Sequence, residues 1–427
     1  MSTPETNPVL NEGPSPATPT RIGPMRTVAP LIAWGLFATS FSQLGVIGLY
    51  PFRFLLKDHL GLDATMVALF TQLANLPWNV KIFAGLVADG VPIFGTRRRH
   101  YLILSSVAAG GLWLAVGMVR PAYLPLLIMA TAMNVALVFA STVSGGLLVQ
   151  AGQENRATGR LSALRVIATN IAMLGTPLGA LLAARVIEMS AVVAAIPMFL
   201  LAGMAWLLLH EGSPAKRDPR VWRNMGAQLR NVFRSRTLWV AAGLLFLVQF
   251  APGFVTPLFY YQTNTLKFSE DFIGLLALIS ALSGAAGGFL YGYFCQRYRL
   301  RTLLYGSIIV TALAALMYLY YDSWKLAMVI EGAYAFVWYL AQLPLYDLAA
   351  RATPKGSEAL GYSLIVSAWN WGLFVSDITG SWLFDHHGWS FKQLVWLNAI
   401  TTAVVLVVVP FLPGRLVDRT EAEESGS

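Results

Sequence analysis

The chain has 427 residues, 56% of them hydrophobic and 12% charged, with a formal charge of +9 and a mean hydropathy of +0.60. Soluble domains carry about 25% charged residues, so this much apolar side chain excludes an ordinary aqueous core and makes the bilayer the natural solvent. The positive charge does not indicate nucleic acid, because basic residues here fall in short breaks between apolar runs rather than on one aqueous face.

Residues 1–25, rich in Pro, Thr, Ser and Asn, lack the charged-then-apolar order of a secretion signal and are expected to be a disordered cytoplasmic tail. Apolar runs of roughly 20 residues, each able to cross ~30 Å of hydrocarbon as helix, then recur. They lie near 29–50, 64–88, 101–119, 123–150, 165–187, 191–209, 237–260, 271–294, 302–321, 325–348, 360–384 and 392–412. The expected fold is therefore an all-α membrane protein with twelve transmembrane helices. The fourth run is long for one span and is expected to tilt or to extend beyond the lipid. A polar linker over 211–236 divides the spans into bundles at 26–210 and 237–413, and 414–427 forms a second tail. Trp222, Leu229 and Phe233 recur at near-helical spacing among basic residues, which suits either a segment lying on the membrane surface or a solvated linker.

Lys and Arg near span ends are held on the cytoplasmic side. With both termini inside, 22 of the 30 fall in inner segments, Arg97, Arg98 and Arg99 among them. Seven fall outside: Arg53, Lys57, Arg120, Arg185, Lys267, Lys325 and Lys392. Lys81 alone lies inside a span. The asymmetry alternates from loop to loop, so the chain is placed in the inner or plasma membrane as a multi-pass protein.

Polar side chains are costly in lipid and mark the helices that face water or protein. The third, sixth and ninth runs hold no ionisable residue in their interiors, and the twelfth has Asn398. The remaining runs supply the candidates for a central cavity. Gln72, Asn75 and Asn79 share one face of the second span. Lys81 reads either as a substrate-facing cation or as a structural partner that snorkels. Gln43, Asn134, Gln249 and Asn370 are further candidates for solute contact. In the tenth span Glu331, Tyr334, Trp338 and Gln342 recur at helical spacing, placing a carboxylate among aromatics that suit stacking on a ring. Glu331 and Asp377 lie at similar depth, and a carboxylate in low dielectric is a candidate for carrying a proton; a buried base as partner is the other account of either. Asp89 with Arg97, Arg98 and Arg99, and Asp347 with Arg351, are candidates for charge-assisted gating contacts. The five histidines fall at span ends or loops without metal spacing, and with one cysteine, Cys295, an intrachain disulfide or multi-cysteine metal site is excluded. No catalysis, cofactor or metal is expected.

The halves resemble each other. Gln43, Pro51 and Leu60 recur as Gln249, Pro257 and Leu266 at a displacement of 206 residues. Two six-span halves in parallel repeat are the arrangement of the major facilitator superfamily, with its solute site between halves near the midplane. Residues 76–104, LPWNVKIFAGLVADGVPIFGTRRRHYLIL, resemble the second-to-third-span signature of the folate–biopterin transporter family within that superfamily. Phe259 to Leu276 and Leu343 to Gly372 resemble its seventh-to-eighth and tenth-to-eleventh-span segments. The resemblance implies transport of folates, pterins or related solutes, commonly with protons, and its matching segments include Lys81, Asp89, Arg97, Arg98, Asn370 and the Pro354–Glu358 loop. Ile82 stands where the family usually has Pro, no acid lies near Ser144, and Asp347 and Asp377 occupy commonly uncharged positions. These departures widen the expected solute to another organic anion.

The expectation is a monomeric alternating-access carrier of a small organic solute, proton-coupled through Glu331 or Asp377. The alternatives are an uncoupled facilitator or exporter, and a non-transporting assembly or pigment-handling protein on the same scaffold.

Overall fold

The computed structural model describes residues 25–154, 158–183, 187–211, 226, 229–230, 232–294, 297–352 and 358–418; Trp222, Cys295 and most of both tails lie outside them. Among the described residues, eight helices are long and apolar enough to cross a membrane. They are the expected third, fourth, sixth, seventh, eighth, ninth, tenth and twelfth spans. The other four are helical as well, and three of these are interrupted. The first runs Met25–Phe41 and resumes at Leu49–Phe54; the second is Ala64–Asn79 then Lys81–Gly90; the fifth is Thr158–Met173 then Gly175–Ala183. The eleventh is one helix, Glu358–His386. The fourth, Tyr123–Glu154, extends to 32 residues, as its long apolar run implies.

Local chemistry accounts for the starts and breaks. Asp63 caps the second span by accepting from Met66 N, and Ser235 caps the seventh, Arg236–Phe250, through Leu238 N. Ser390 and Gln393 form a reciprocal capping box at the twelfth, Phe391–Val404. Pro77, which has no N–H to give, precedes the departure of Val80 from helical geometry.

The first and seventh spans, expected to be continuous, both break and resume as a short helical segment, the hook. A six-residue helix, Leu49–Phe54, ends in a wide π turn at Leu55–His59; Val255–Tyr260 ends in the same turn at Tyr261–Thr265. Each boundary is displaced by 206 residues, so the internal repeat seen in the sequence is a repeat of shape. Lipid offers no partner to freed backbone groups, and neighbouring spans supply them. Ser42 O accepts from Trp113 Nε1 (2.9 Å). Ala251 O accepts from Ser376 Oγ (2.5 Å), and Pro252 O from Asn398 Nδ2 (3.0 Å). That bond gives the polar residue of the twelfth span its structural role. Small residues let the breaks nest against other helices. Gly179 of the fifth span lies against the Ile47 carbonyl, and Gly380 of the eleventh against that of Gly253.

The third span packs along the sixth and the ninth along the twelfth, the apolar outer layer expected from their composition. Between halves, the eighth span packs on the fifth and the eleventh on the second. The end of the bundle poor in Arg is laced across the halves: Asp385 Oδ2 accepts from both Thr65 N and Thr65 Oγ1 (2.6 Å each), and Tyr260 donates its hydroxyl to Leu62 O. Deeper in, Ser367 Oγ donates to Asn79 O (2.6 Å). At the Arg-rich end Arg301 pairs with Asp418 (2.7 Å) inside one half.

Asp385→Ala removes the acceptor for both Thr65 donors. With Cys295→Ser and Thr176→Cys as background, it should raise labelling of the new thiol by an impermeant maleimide applied from the Arg-poor side. Unchanged labelling would mean that this pair does not hold that end shut.

Candidate functional site

Between the halves lies a cavity of about 290 Å³. The hooks build much of its wall: the first contributes Leu49, Tyr50 and Arg53, and the second Phe254, Val255, Leu258, Phe259 and Gln262. The fifth span adds Thr176, the eighth Ser280, and the tenth Glu331, Tyr334 and Trp338. The breaks after Phe41 and Phe250 let these short helices turn side chains inward.

Glu331 accepts on both carboxylate oxygens. Oε1 takes hydrogen bonds from Tyr321 OH (3.0 Å) and Gln262 Nε2 (3.4 Å), Oε2 from Ser280 Oγ (3.1 Å) and Tyr318 OH (3.3 Å). All four partners are neutral donors, and among the described residues no Lys or Arg lies within ion-pair distance. This shell suits an acceptor-only ionised carboxylate. The three hydroxyls can also reverse and accept from a protonated one. Tyr334 meets Tyr318 edge-on at 5.0 Å between ring centres, and Trp338 meets Tyr339 at 5.1 Å.

Opposite these groups, Arg53 is 7% exposed. Its guanidinium lies over the rings of Phe259 (5.6 Å) and Tyr50 (6.0 Å), and its Nε finds no protein acceptor. Burying an ion costs several kcal/mol, more than cation–π contacts of ~0.5–2 kcal/mol return. The charge census counts Arg53 with the outer loops. The structure corrects that, because the first span resumes as a helix that runs past residue 50 and holds Arg53 buried in the cavity wall. The signal for it in the sequence is its position two residues after Pro51, within the repeated segment.

The other expected solute contacts are distributed elsewhere. Asn134 is fully buried and saturated: its Oδ1 accepts from Trp78 Nε1 (2.9 Å) and its Nδ2 donates to Ala74 O (2.7 Å) and Asn75 Oδ1 (3.3 Å). It ties the second span to the fourth. Lys81 begins the resumed second span, donates to Ser141 Oγ (2.8 Å) and lies 5.1 Å from the Trp78 ring. It does not line the cavity of Tyr334 and Trp338. Gln249 donates to Gln342 Oε1 (2.9 Å) in a buried pair within the second half, so Gln342 faces the seventh span outside the cavity wall. Gln43 donates back to Thr39 O (3.3 Å). Gln72 and Asn370 are half-buried outside the cavity, and Asn79 lines a separate, largely apolar crevice of about 650 Å³ with Phe83, Phe246 and Trp371. Asp377 accepts from Thr256 N (3.2 Å) and Thr256 Oγ1 (2.9 Å) at the start of the second hook and is not part of the cavity wall.

Of the gating candidates, Asp347 and Arg351 form a two-point ion pair (2.9 Å each) one helical turn apart. The Asp89 side chain lies outside the described residues. The backbone N–H groups of Arg97, Arg98 and Arg99 all donate to the Glu211 carboxylate, at 2.8, 2.8 and 2.9 Å, and the Arg99 side chain donates to Trp206 O (3.0 Å). Glu211, the first residue of the expected linker, thus caps the third span, where negative charge is favoured. Glu211→Ala should lower stability by about 2–3 kcal/mol, since three donors to a charged acceptor are orphaned, with Glu211→Gln in between. Thermal unfolding in detergent measures it, and equal stability of all three proteins would rule the cap out.

The description BT1 family matches residues 45–426. The chain belongs to the BT1 family. It is similar to a folate-biopterin transporter of Synechocystis sp., at 28% identity over 433 residues covering 92% of this chain and 85% of the relative. Its fold is similar to that of a D-xylose-proton symporter, with a TM-score of 0.68 at 14% identity covering 91% and 98% of the two chains. A nucleoside transporter gives a TM-score of 0.69 at 11% identity, covering 91% and 100%. This member of the BT1 family is therefore a multi-pass membrane transporter of a small molecule with the major facilitator fold, and not an enzyme.

Proposed function

We propose that the protein carries a pterin- or folate-like organic anion by alternating access between its halves, driven by protons that bind Glu331. The observation that carries the reading is the pairing, in one cavity between halves, of a carboxylate held only by neutral donors with aromatic walls that suit a planar ring. Protonation of Glu331 leaves Arg53 as the net charge of the cavity wall, which favours entry of an anion; loss of the proton restores neutrality and favours its release. The names of the relatives agree with the ring chemistry.

With both termini and the Arg-rich loops on the cytoplasmic side of the inner or plasma membrane, the laced end is the outer one, and the protein stands closed outward. The bundles over 26–210 and 237–413 are the moving units, the linker over 211–236 joins them, and one monomer suffices. Asp377 belongs to the architecture of the second hook in this reading, with Glu331 as the proton carrier. Asn79 lines the second crevice and Lys81, two residues on, is held by Ser141; both would act on the cytoplasmic path.

Proteoliposomes holding an imposed pH gradient test the proposal. Accumulation of labelled folate or pterin that collapses when a protonophore dissipates the gradient is expected. Equilibration without accumulation would favour the uncoupled facilitator, and no movement of either solute would overturn the substrate class.

A further inference from the structure

We infer that Arg53 is the seat of the solute's anionic group, so that the cavity selects planar aromatic solutes bearing a carboxylate over their neutral counterparts. The inference rests on the transporter reading above and adds to it the residue and the chemical group that decide selection. Three observations lead there. The hook places Arg53 on a helix of the first half with its side chain in the cavity wall and 7% exposed. A guanidinium offers five N–H donors in a rigid plane, and the residues around it, Tyr50 and Phe259, meet it with ring faces, while its buried Nε has no protein acceptor. Arg53 and Glu331 are the charged residues of the wall, and Glu331 is engaged by Tyr318, Tyr321, Ser280 and Gln262 rather than by Arg53.

A carboxylate matches the guanidinium fork with two parallel hydrogen bonds, which an ammonium cannot reproduce. The repeat sharpens the point. The residue displaced by 206 from Arg53 is Phe259, the ring it lies against, so two equivalent positions meet with a cation on one side and an aromatic on the other. A solute with an acid at one end and a flat ring at the other has one orientation that satisfies both, with Tyr334 and Trp338 further along the wall.

The test uses the full-length protein in detergent and two matched pairs of probes: pterin-6-carboxylate with 6-hydroxymethylpterin, and p-aminobenzoate with p-aminobenzamide. Binding is read by calorimetry. In the wild type the acid of a pair should bind roughly tenfold or more tightly than its neutral partner, the scale of a charge-assisted hydrogen bond. Arg53→Leu should erase that preference while keeping affinity for the neutral member, and Arg53→Lys should keep part of it. A preference confined to the benzoate pair and lost in Arg53→Leu supports this inference while overturning the pterin reading. A preference that survives in Arg53→Leu, or in Arg53→Lys at full size if the leucine variant does not fold, overturns the inference. So does a wild type that prefers neither acid.

Discussion

Glu331→Gln is expected to abolish uphill transport while leaving downhill exchange of the same solute in place. A one-unit pH gradient is worth about 1.4 kcal/mol per proton, which supports roughly tenfold accumulation when one proton travels with each solute; the variant should fall to about one. Glutamine keeps the length and one acceptor oxygen for Tyr321, Tyr318 or Ser280, but it does not titrate, so the lesion separates binding of the proton from the shape of the wall. Accumulation undiminished in Glu331→Gln would remove Glu331 from the coupling step. Asp377→Asn would then be the next variant, although the hydrogen bonds of Asp377 to Thr256 forecast a loss of stability there rather than of coupling.

Gly380→Val should be the most damaging single change to the fold. A Cβ at Gly380 would fall inside the van der Waals envelope of the Gly253 carbonyl, in contact with rigid backbone. Overpacking of this kind commonly costs about 1–3 kcal/mol, and here no flexible side chain is available to yield. The eleventh span would be pushed from the second hook, breaking the Ser376 and Asp377 contacts that satisfy its backbone. Gly203 is the control: a methyl added there would meet nothing within 4 Å, and Gly203→Ala, inside a helix where alanine is the better former, should leave the melting temperature no lower. Size-exclusion profiles of the two variants in detergent decide it: a monodisperse, wild-type-stable Gly380→Val would show that the close approach is not required.

Much of the architecture was legible because its causes act locally along the chain. Apolar run length locates the spans, Arg placement orders the loops, and the residues at Gln43, Pro51 and Leu60 announce the repeat. The tenth-span spacing of Glu331, Tyr334 and Trp338 brings all three to one wall. What a linear pattern conceals is a break within a span. Arg53 reads as a loop charge as long as the first span is taken to end near residue 50, and the resumed helix sets it in the cavity wall instead. Asn134 shows the reverse limit: a polar residue deep in a span signals that it faces protein, and whether its partner is a solute or Trp78 is decided by a helix 56 residues away in sequence. Glu211 was hidden for a third reason. Its partners are backbone N–H groups, which nearly every residue possesses, so no side-chain pattern at Arg97–Arg99 could have named it.

The hook also bears on how the protein is made. Arg53 leaves the ribosome 206 residues ahead of Phe259 and 278 ahead of Glu331, an interval of roughly 10–55 s at ordinary rates of synthesis. Through that time the newly inserted first helix holds a cation near its end with no cavity to receive it. Its stem is long enough to reach toward the headgroups, so the guanidinium can wait at the interface and be drawn inward only as the second half arrives. Assembly of the two halves is then also the moment at which this charge leaves water.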